Sequence, residues 1–258
     1  EELYLSILPT TTQYSRNALF AGLMPAAIGE MMPDFWIDEN DDEGKNLNEE
    51  KLLAKNLQRA GVNCRWSYNK ISSDAEGRSL NEKIPQLLNN DLNMLVYNFV
   101  DLLSHARTEI DLIRDMTVDE ASWLSLTRSW FIHSPLKELL RLVSARGARV
   151  VITTDHGSVR VQKPVKVIGD RNTSMNLRYK NGRNLDYNPR EVFEITTPSK
   201  AGLPMTNISS RYIFACASDF LVYPNNYNHI VSYYRDSLQH GGVSMQEMLL
   251  PLVSLEPV

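Results

Sequence analysis

The sequence predicts an α/β fold, a mostly parallel central sheet flanked by helices, on three observations. Residues 92–100 (LNMLVYNFV) and 149–154 (RVVITT) are apolar, partly β-branched runs of strand length and read as buried strands. Stretches with helical apolar spacing separate successive strands at lengths that suit right-handed strand-helix-strand crossovers. Both runs deliver an acid and a histidine just past their carboxyl ends, where ligand sites of open α/β sheets lie.

The 258 residues suit one large or two small domains, and 43 % hydrophobic with 22 % charged content is ordinary for a soluble globular chain. A formal charge of −4 argues against a protein that coats nucleic acid, though a nucleotide at a metal site needs no basic surface. Cys64 and Cys216 provide neither a disulfide framework nor a thiolate zinc site, so any metal must rely on His, Asp and hydroxyl ligands. No apolar run reaches membrane-spanning length and no signal-peptide pattern opens the chain, so no membrane insertion and a cytoplasmic location are expected. Glu1-Glu2 runs straight into strand-like residues without an initiator Met, which suggests a fragment of something longer.

Residues 3–8 form the first expected strand, and Pro9-Thr10-Thr11-Thr12 turns it into a helix over 13–23, closed by Gly22 and Pro25. Threonine is a good N-cap, which explains a hydroxyl run at a helix start. The same run suits a nucleophile or metal ligand on a strand-to-helix turn, whose free N–H groups favour an anion. With three threonines, both readings stand. Residues 34–44 (DFWIDENDDEG) form an acidic loop that lacks the spacing of a calcium loop. An amphipathic helix over 48–60 stops at Gly61, a strand follows over 64–71, and a polar connection leads to a helix over 80–88.

The strand at 92–100 delivers Asp101 and His105, which share one face if that turn is helical; a helix-start Asp with a surface His is the plainer reading. Residues 117–145 are long and helical, with His133 at a break before Pro135 and Gly147 ending the run. After the strand at 149–154, Asp155-His156-Gly157-Ser158 sets two metal-type ligands side by side, although Asp and Gly are also ordinary turn residues. A strand over 159–168 precedes a polar and basic segment at 169–188, where Arg171, Arg178, Lys180 and Arg183 alternate with Tyr179 and Tyr187. That pattern suits base stacking and phosphate neutralisation, or a solvated hairpin. Strands at 211–217 and 220–222, a helix at 229–237 and a strand at 249–255 complete the order. His240 precedes two glycines on a loop where backbone can closely approach a bound group, and Ser244 with Glu247 makes a capping box.

Collected, Thr12, Asp101, His105, Asp155, His156 and His240 form a set of imidazoles, carboxylates and a hydroxyl. Such ligands suit zinc, and manganese less well. Two neighbouring metals would clamp the attacking and departing oxygens of a phosphoryl group. Thr12 could then attack phosphorus and form a covalent intermediate that water cleaves.

The order PTxT, DxxxH, DH, HGG resembles that of the alkaline phosphatase superfamily, in its phosphodiesterase-like branch. More narrowly, PTTTQYSRNALF, TTDHGSVRV and HGGVSMQEMLLPL are similar to the PglZ domain, and most of all to the output domain of PorX-type response regulators, which control type IX secretion. The likeness covers nearly the whole chain, so a single metallophosphoesterase domain over 1–258 is expected, with a polar insert at about 169–210. The resemblance implies Asp101, His105 and His240 on one zinc ion, and Asp155, His156 and Thr12 on another, with one or two ions bound. Thr12 becomes the nucleophile as the second threonine of PTxT. Arg16, about one helical turn further on, is expected to face the phosphate, with Arg178 and Tyr179 as further substrate contacts. The family also supplies an aspartate from a preceding strand in a DxxR-like motif; none precedes residue 3, so the fold is expected to lack its first strand here.

The resemblance therefore implies a zinc-dependent phosphodiesterase acting on nucleotide-type phosphodiesters, cyclic or linear oligonucleotides, as the output domain of a two-component response regulator. The alternative is a signalling module with a largely structural metal, which binds a sigma factor or a membrane-anchored regulator. A homodimer is compatible with both. A phosphomonoesterase or mutase would share the ligands.

Overall fold

The computed structural model describes residues 1–38, 44–99, 102–103, 110–170, 173–205 and 209–258. Contacts separate the chain into two units: residues 2–61 with 153–251, and residues 62–152 with 252–258 and Glu1. Strand β1 (Glu2–Leu5) leads through the threonine run into helix α1 (Thr12–Ala21), which Gly22 ends in the left-handed conformation with its N–H on Ala18 O. Thr11 stands at the N-cap position but makes no cap hydrogen bond, and its buried Oγ1 has no hydrogen-bond partner among the described residues. The capping explanation of the hydroxyl run thus fails at the position where it should apply. Helix α2 (Pro25–Met31) starts with proline, where the missing N–H costs nothing. Helix α3 (Glu49–Arg59) buries Leu52 and Leu53 and packs along α1. Its Asn56 Nδ2 donates to Phe20 O at 3.0 Å, and Arg59 donates to Ala21 O, so α3 satisfies carbonyls that the end of α1 leaves open.

In residues 62–152, β2 (Trp66–Ile71) and β3 (Leu92–Tyr97) pair in parallel, with α4 (Asp74–Glu82) and α5 (Ile84–Leu87) in the crossover between them. Helices α6 (Asp111–Met116), α7 (Glu120–His133) and α8 (Pro135–Ser144) follow. The expected break falls at Ser134, whose Oγ accepts from Lys137 N at 3.3 Å while Pro135 takes the first helical position. Ile71, Leu80, Ile84 and Leu139 form the core of this unit. Strand β4 (Val150–Ile152) pairs antiparallel with residues 253–255.

Residues 153–251 add β5 (Val159–Arg160), β6 (Lys163–Lys166), β7 (Tyr179–Gly182), β8 (Val192–Ile195), β9 (Arg211–Ala215), β10 (Asp219–Val222), α9 (Tyr227–Tyr234), β11 (Leu238–Gln239) and α10 (Met245–Met248), then run into β12 (Leu249–Leu255). Strand β9 is central to an antiparallel sheet between β7 and β8. Strand β10 lies parallel to β6, and β11 antiparallel to β5. Tyr14, Tyr179, Leu203, Tyr212 and Phe214 make one buried cluster, and Val165, Val167, Ile213, Ala215 and Leu221 another.

The expected mostly parallel central sheet is corrected by this arrangement. Among the described residues the strands fall into several small sheets, with β2–β3 and β6–β10 parallel and the β4, β5, β7 and β8 pairings antiparallel. A parallel neighbour needs a long crossover, and among the described residues of 159–222 successive strands follow one another without an α-helix, so β6 meets its parallel partner β10 only past three intervening strands. The α/β alternation read from the sequence is present in residues 66–97 and does not extend to that segment. No helix among the described residues is long and apolar enough to cross a membrane.

Candidate metal centre and nucleophile

Three segments of one unit meet here: the start of α1, the Asp155-His156-Gly157 turn and the His240-Gly241-Gly242 loop. Thr10 ties the first to the third. Its Oγ1 accepts from Gly241 N at 2.9 Å and donates to Gly242 O at 3.1 Å, while His240 Nδ1 donates to Thr10 O at 3.1 Å. Gly241 has φ +125°, and a Cβ there would come within 2.8 Å of Asn176 Oδ1 and 2.9 Å of Tyr179 Cδ1. The glycine is therefore required by the protein's own packing, a different reason from the expected approach to a bound group. The Asp-His turn is fixed in a similar way. Ser6 Oγ donates to Asp155 O at 2.7 Å, Gly157 N donates to Glu247 O at 2.9 Å, and a Cβ on Gly157 would collide with Gln246 O at 2.0 Å.

These constraints bring Thr12, Asp155, His156 and His240 together. His156 Nδ1 sits 2.9 Å from Gly157 O and must donate to it, which leaves the lone pair on Nε2. Thr12 Oγ1 lies 3.2 Å from that Nε2 and donates to it. Asp155 Oδ2 is 3.7 Å from the same nitrogen. By the same reasoning the bond from His240 Nδ1 to Thr10 O assigns its lone pair to Nε2. The two imidazoles stack with centroids 3.9 Å apart and planes within 13°. Asp101 and His105 lie outside the described residues. Among the described residues, no three His, Cys, Asp or Glu side chains form a group able to hold a metal ion.

Arg16, expected to face the phosphate, is engaged by carboxylates. It binds Asp155 side-on, with Nε 3.1 Å from Oδ2 and Nη2 3.4 Å from Oδ1, and its Nη1 lies 3.5 Å from Glu49 Oε1. The side chains of Asp155, Arg16 and Glu49 are 8 %, 11 % and 1 % exposed, so two buried carboxylates share one guanidinium. Nearby, burial pushes the Tyr4 phenol up from its ordinary pKa, the hydrogen bond with Thr153 opposes this, and the Asp155 carboxylate adds to it.

Arg178 and Tyr179, expected as substrate contacts, are both buried. Arg178 is fully buried: Nε and Nη2 bind the Glu247 carboxylate at 3.0 and 2.6 Å, and the guanidinium also donates to Ala217 O and Asp219 O. Tyr179 is 3 % exposed and packs edge-on to Tyr14. Interleaved cations and aromatics look alike in sequence whether the strand carrying them is central or solvated, and β7 is buried at all four positions. Glu247, which the sequence marked as a cap, also accepts from Gly242 N and from Ser244 Oγ. Glu49 went unread, because an acid in the first turn of a helix is an ordinary complement to the helix dipole.

The chain belongs to the PglZ family: the profile of the BREX system PglZ alkaline phosphatase-like domain matches residues 1–255. Its fold is accordingly alkaline-phosphatase-like α/β. Among solved structures it is similar to phosphonoacetate hydrolase from Sinorhizobium meliloti 1021, in complex with phosphonoformate (TM-score 0.56) and with phosphonoacetate (TM-score 0.55). Identity is 12 % in both cases, over 98 % of this chain and 80 % of the hydrolase. At that identity the likeness speaks for the fold alone. No curated protein matches the chain.

Proposed function

We propose that the chain is a zinc-dependent phosphoester hydrolase that cleaves nucleotide-type phosphodiesters with Thr12 as nucleophile. The observation that carries this reading is the Thr12 hydroxyl, held 3.2 Å from a histidine nitrogen whose lone pair is fixed by a second hydrogen bond. The donor set fits a cation. His156 and His240 have Nδ1 committed to backbone carbonyls, as metal-binding histidines usually do. Asp155, His156 and Thr12 would hold one zinc ion; the motif resemblance assigns His240 to another, with Asp101 and His105, which lie outside the described residues. Zinc at these positions supplies Lewis-acid stabilisation to the phosphoryl oxygens.

The protein's own part follows from α1. Thr12 opens the helix, where the dipole favours negative charge on its Oγ1 and on a phosphoryl oxygen beside it. Thr12 Oγ1 would give up its proton and bond to phosphorus, the departing alkoxide would leave and take up a proton, and water would then hydrolyse the ester to Thr12, freeing a phosphomonoester and the hydroxyl. With Arg178 and Tyr179 engaged in the core, base and phosphate recognition falls to other groups. The motif likeness to PorX-type output domains supports a regulated enzyme within a two-component system. The test uses the full chain, stripped with a chelator and reloaded with zinc, on an activated aryl phosphodiester. Zinc should restore turnover, and Thr12→Ala should abolish it while retaining the metal. Turnover by Thr12→Ala within a few-fold of wild type would overturn the nucleophile; a zinc-bound wild type without turnover would favour the signalling module.

A further inference from the structure

Helix α7 is apolar on two sides. Among its 14 residues (EASWLSLTRSWFIH) only Glu120, Arg128 and His133 are charged or titratable, and no residue of the helix is buried. Its inner side carries Trp123, Leu126, Trp130 and Phe131, all partly buried, and Trp130 stacks on Phe99 with ring centroids 3.7 Å apart. Its outer side presents Leu124, 59 % exposed, and Ile132, 42 % exposed. Met116 and Val118, in the segment that leads into the helix, are exposed as well. A helix apolar all round is normally covered on every side, and exposed apolar side chains gathered on one face mark an association site.

The order of charges on that side identifies the occupant. Glu120, Leu124, Arg128 and Ile132 follow one another at four-residue spacing and form one exposed ridge. Neither Glu120 nor Arg128 has a side-chain hydrogen bond or ion pair. The ridge thus reads acid, apolar, base, with Leu124 midway between the two charges. Turned end for end about a two-fold axis through Leu124, it meets its own complement, as an isologous interface requires. Leu124 then faces the partner's Leu124, Glu120 faces the partner's Arg128, and Arg128 faces the partner's Glu120. A parallel pairing in register would set like charge against like. Beside the ridge, Ala121, Ser125 and Ser129 form a row of small side chains, which leaves a groove for the partner's ridge. We infer that a second copy of this chain docks antiparallel on the outer side of α7, with Leu124 on the axis. One helix of 14 residues covers less than the about 800 Å² per partner of a standard interface, so the dimer is a weak one, in the micromolar range.

The experiment is sedimentation equilibrium of the full chain over a range of concentrations, with reductant present to keep Cys64 and Cys216 free, and a thermal melt of each variant. The wild type should pass from monomer to dimer in the micromolar range. Leu124→Glu sets two like charges on the axis and should weaken association about ten-fold or more. Glu120→Arg opposes like charges at both ends of the contact and should weaken it as well. Adding Arg128→Glu re-creates both pairs with their signs exchanged and should bring association back to within a few-fold of wild type. All three positions are exposed, so the melting temperatures should stay near that of the wild type. A wild type still monomeric at several hundred micromolar overturns the inference and leaves the face to a partner of another kind. A dimer indifferent to Leu124→Glu overturns it too, since the contact would then lie elsewhere, and a double exchange as weak as the single one overturns the antiparallel pairing. Should Leu124→Glu fail to fold, Leu124→Ala decides in its place, and undiminished association in it overturns the inference.

Discussion

Among the described residues two arginine-carboxylate groups are buried, and they are built differently. Arg178 and Glu247 face one another one to one, both fully buried, and the surplus hydrogen-bonding capacity of each is taken up by Ala217 O, Asp219 O, Gly242 N and Ser244 Oγ. Arg16 instead divides itself between Asp155 and Glu49, beside two imidazoles and a hydroxyl. The first group is electrically closed and serves the fold. The second lies beside the Thr12 hydroxyl and the stacked pair of imidazoles. What neighbours each cluster separates the two where exposure does not, since both are nearly inaccessible.

The contrast can be broken most severely at Arg178. Arg178→Met strands Glu247 and should cost about 3–5 kcal/mol in urea unfolding at neutral pH, whereas a loss below about 1 kcal/mol would deny the pair its structural role. Adding zinc sharpens the other side. At a free concentration of about one hundred times Kd, zinc should stabilise the wild type by roughly 2.7 kcal/mol in thermal unfolding, and should leave Asp155→Ala unmoved. The loop between the clusters touches both, since Gly242 N binds Glu247 and His240 binds Thr10. Gly241→Ala forces a side chain onto φ +125° and should cost about 2 kcal/mol while weakening zinc, so a change in only one of the two readouts would uncouple the loop from the other cluster.

The smallest effect expected is at Tyr97, a polar group with neither kind of balance. Its buried hydroxyl has no hydrogen-bond partner, and burial, then the Asp74 carboxylate, push its pKa from 10.0 up to about 12. The unfolded chain loses this proton first, so stability should be flat below about pH 10 and fall as pH rises towards 12. Tyr97→Phe should reduce that alkaline fall, as followed by circular dichroism against pH.

Much of the site was legible in the chain because its signals are local. A threonine run before a helix, an acid and histidine after a β-branched strand, and a histidine before two glycines each announce themselves within a few residues, and the fold brings Thr12, Asp155, His156 and His240 together. The N-cap at Ser244 and the helix break at Pro135 were readable for the same reason, although the Glu247 carboxylate turns to Arg178, Gly242 N and Ser244 Oγ. The roles of Arg16, Arg178 and Tyr179 were not. A guanidinium has the same appearance in sequence whether it meets a ligand, one carboxylate or two, and its partners here lie 33, 69 and 139 residues away.

The sequence by itself determined the α/β character, the boundaries of most elements and the residue types gathered around Thr12, because helix and strand periodicity, caps and turns act over one or two turns of chain. Only the tertiary structure decided that the later strands pair largely antiparallel, that β7 is core, and that Arg16 is shared between Asp155 and Glu49. Strand pairing and charge balance depend on which distant groups are excluded from water together, and neither has a local imprint in the chain.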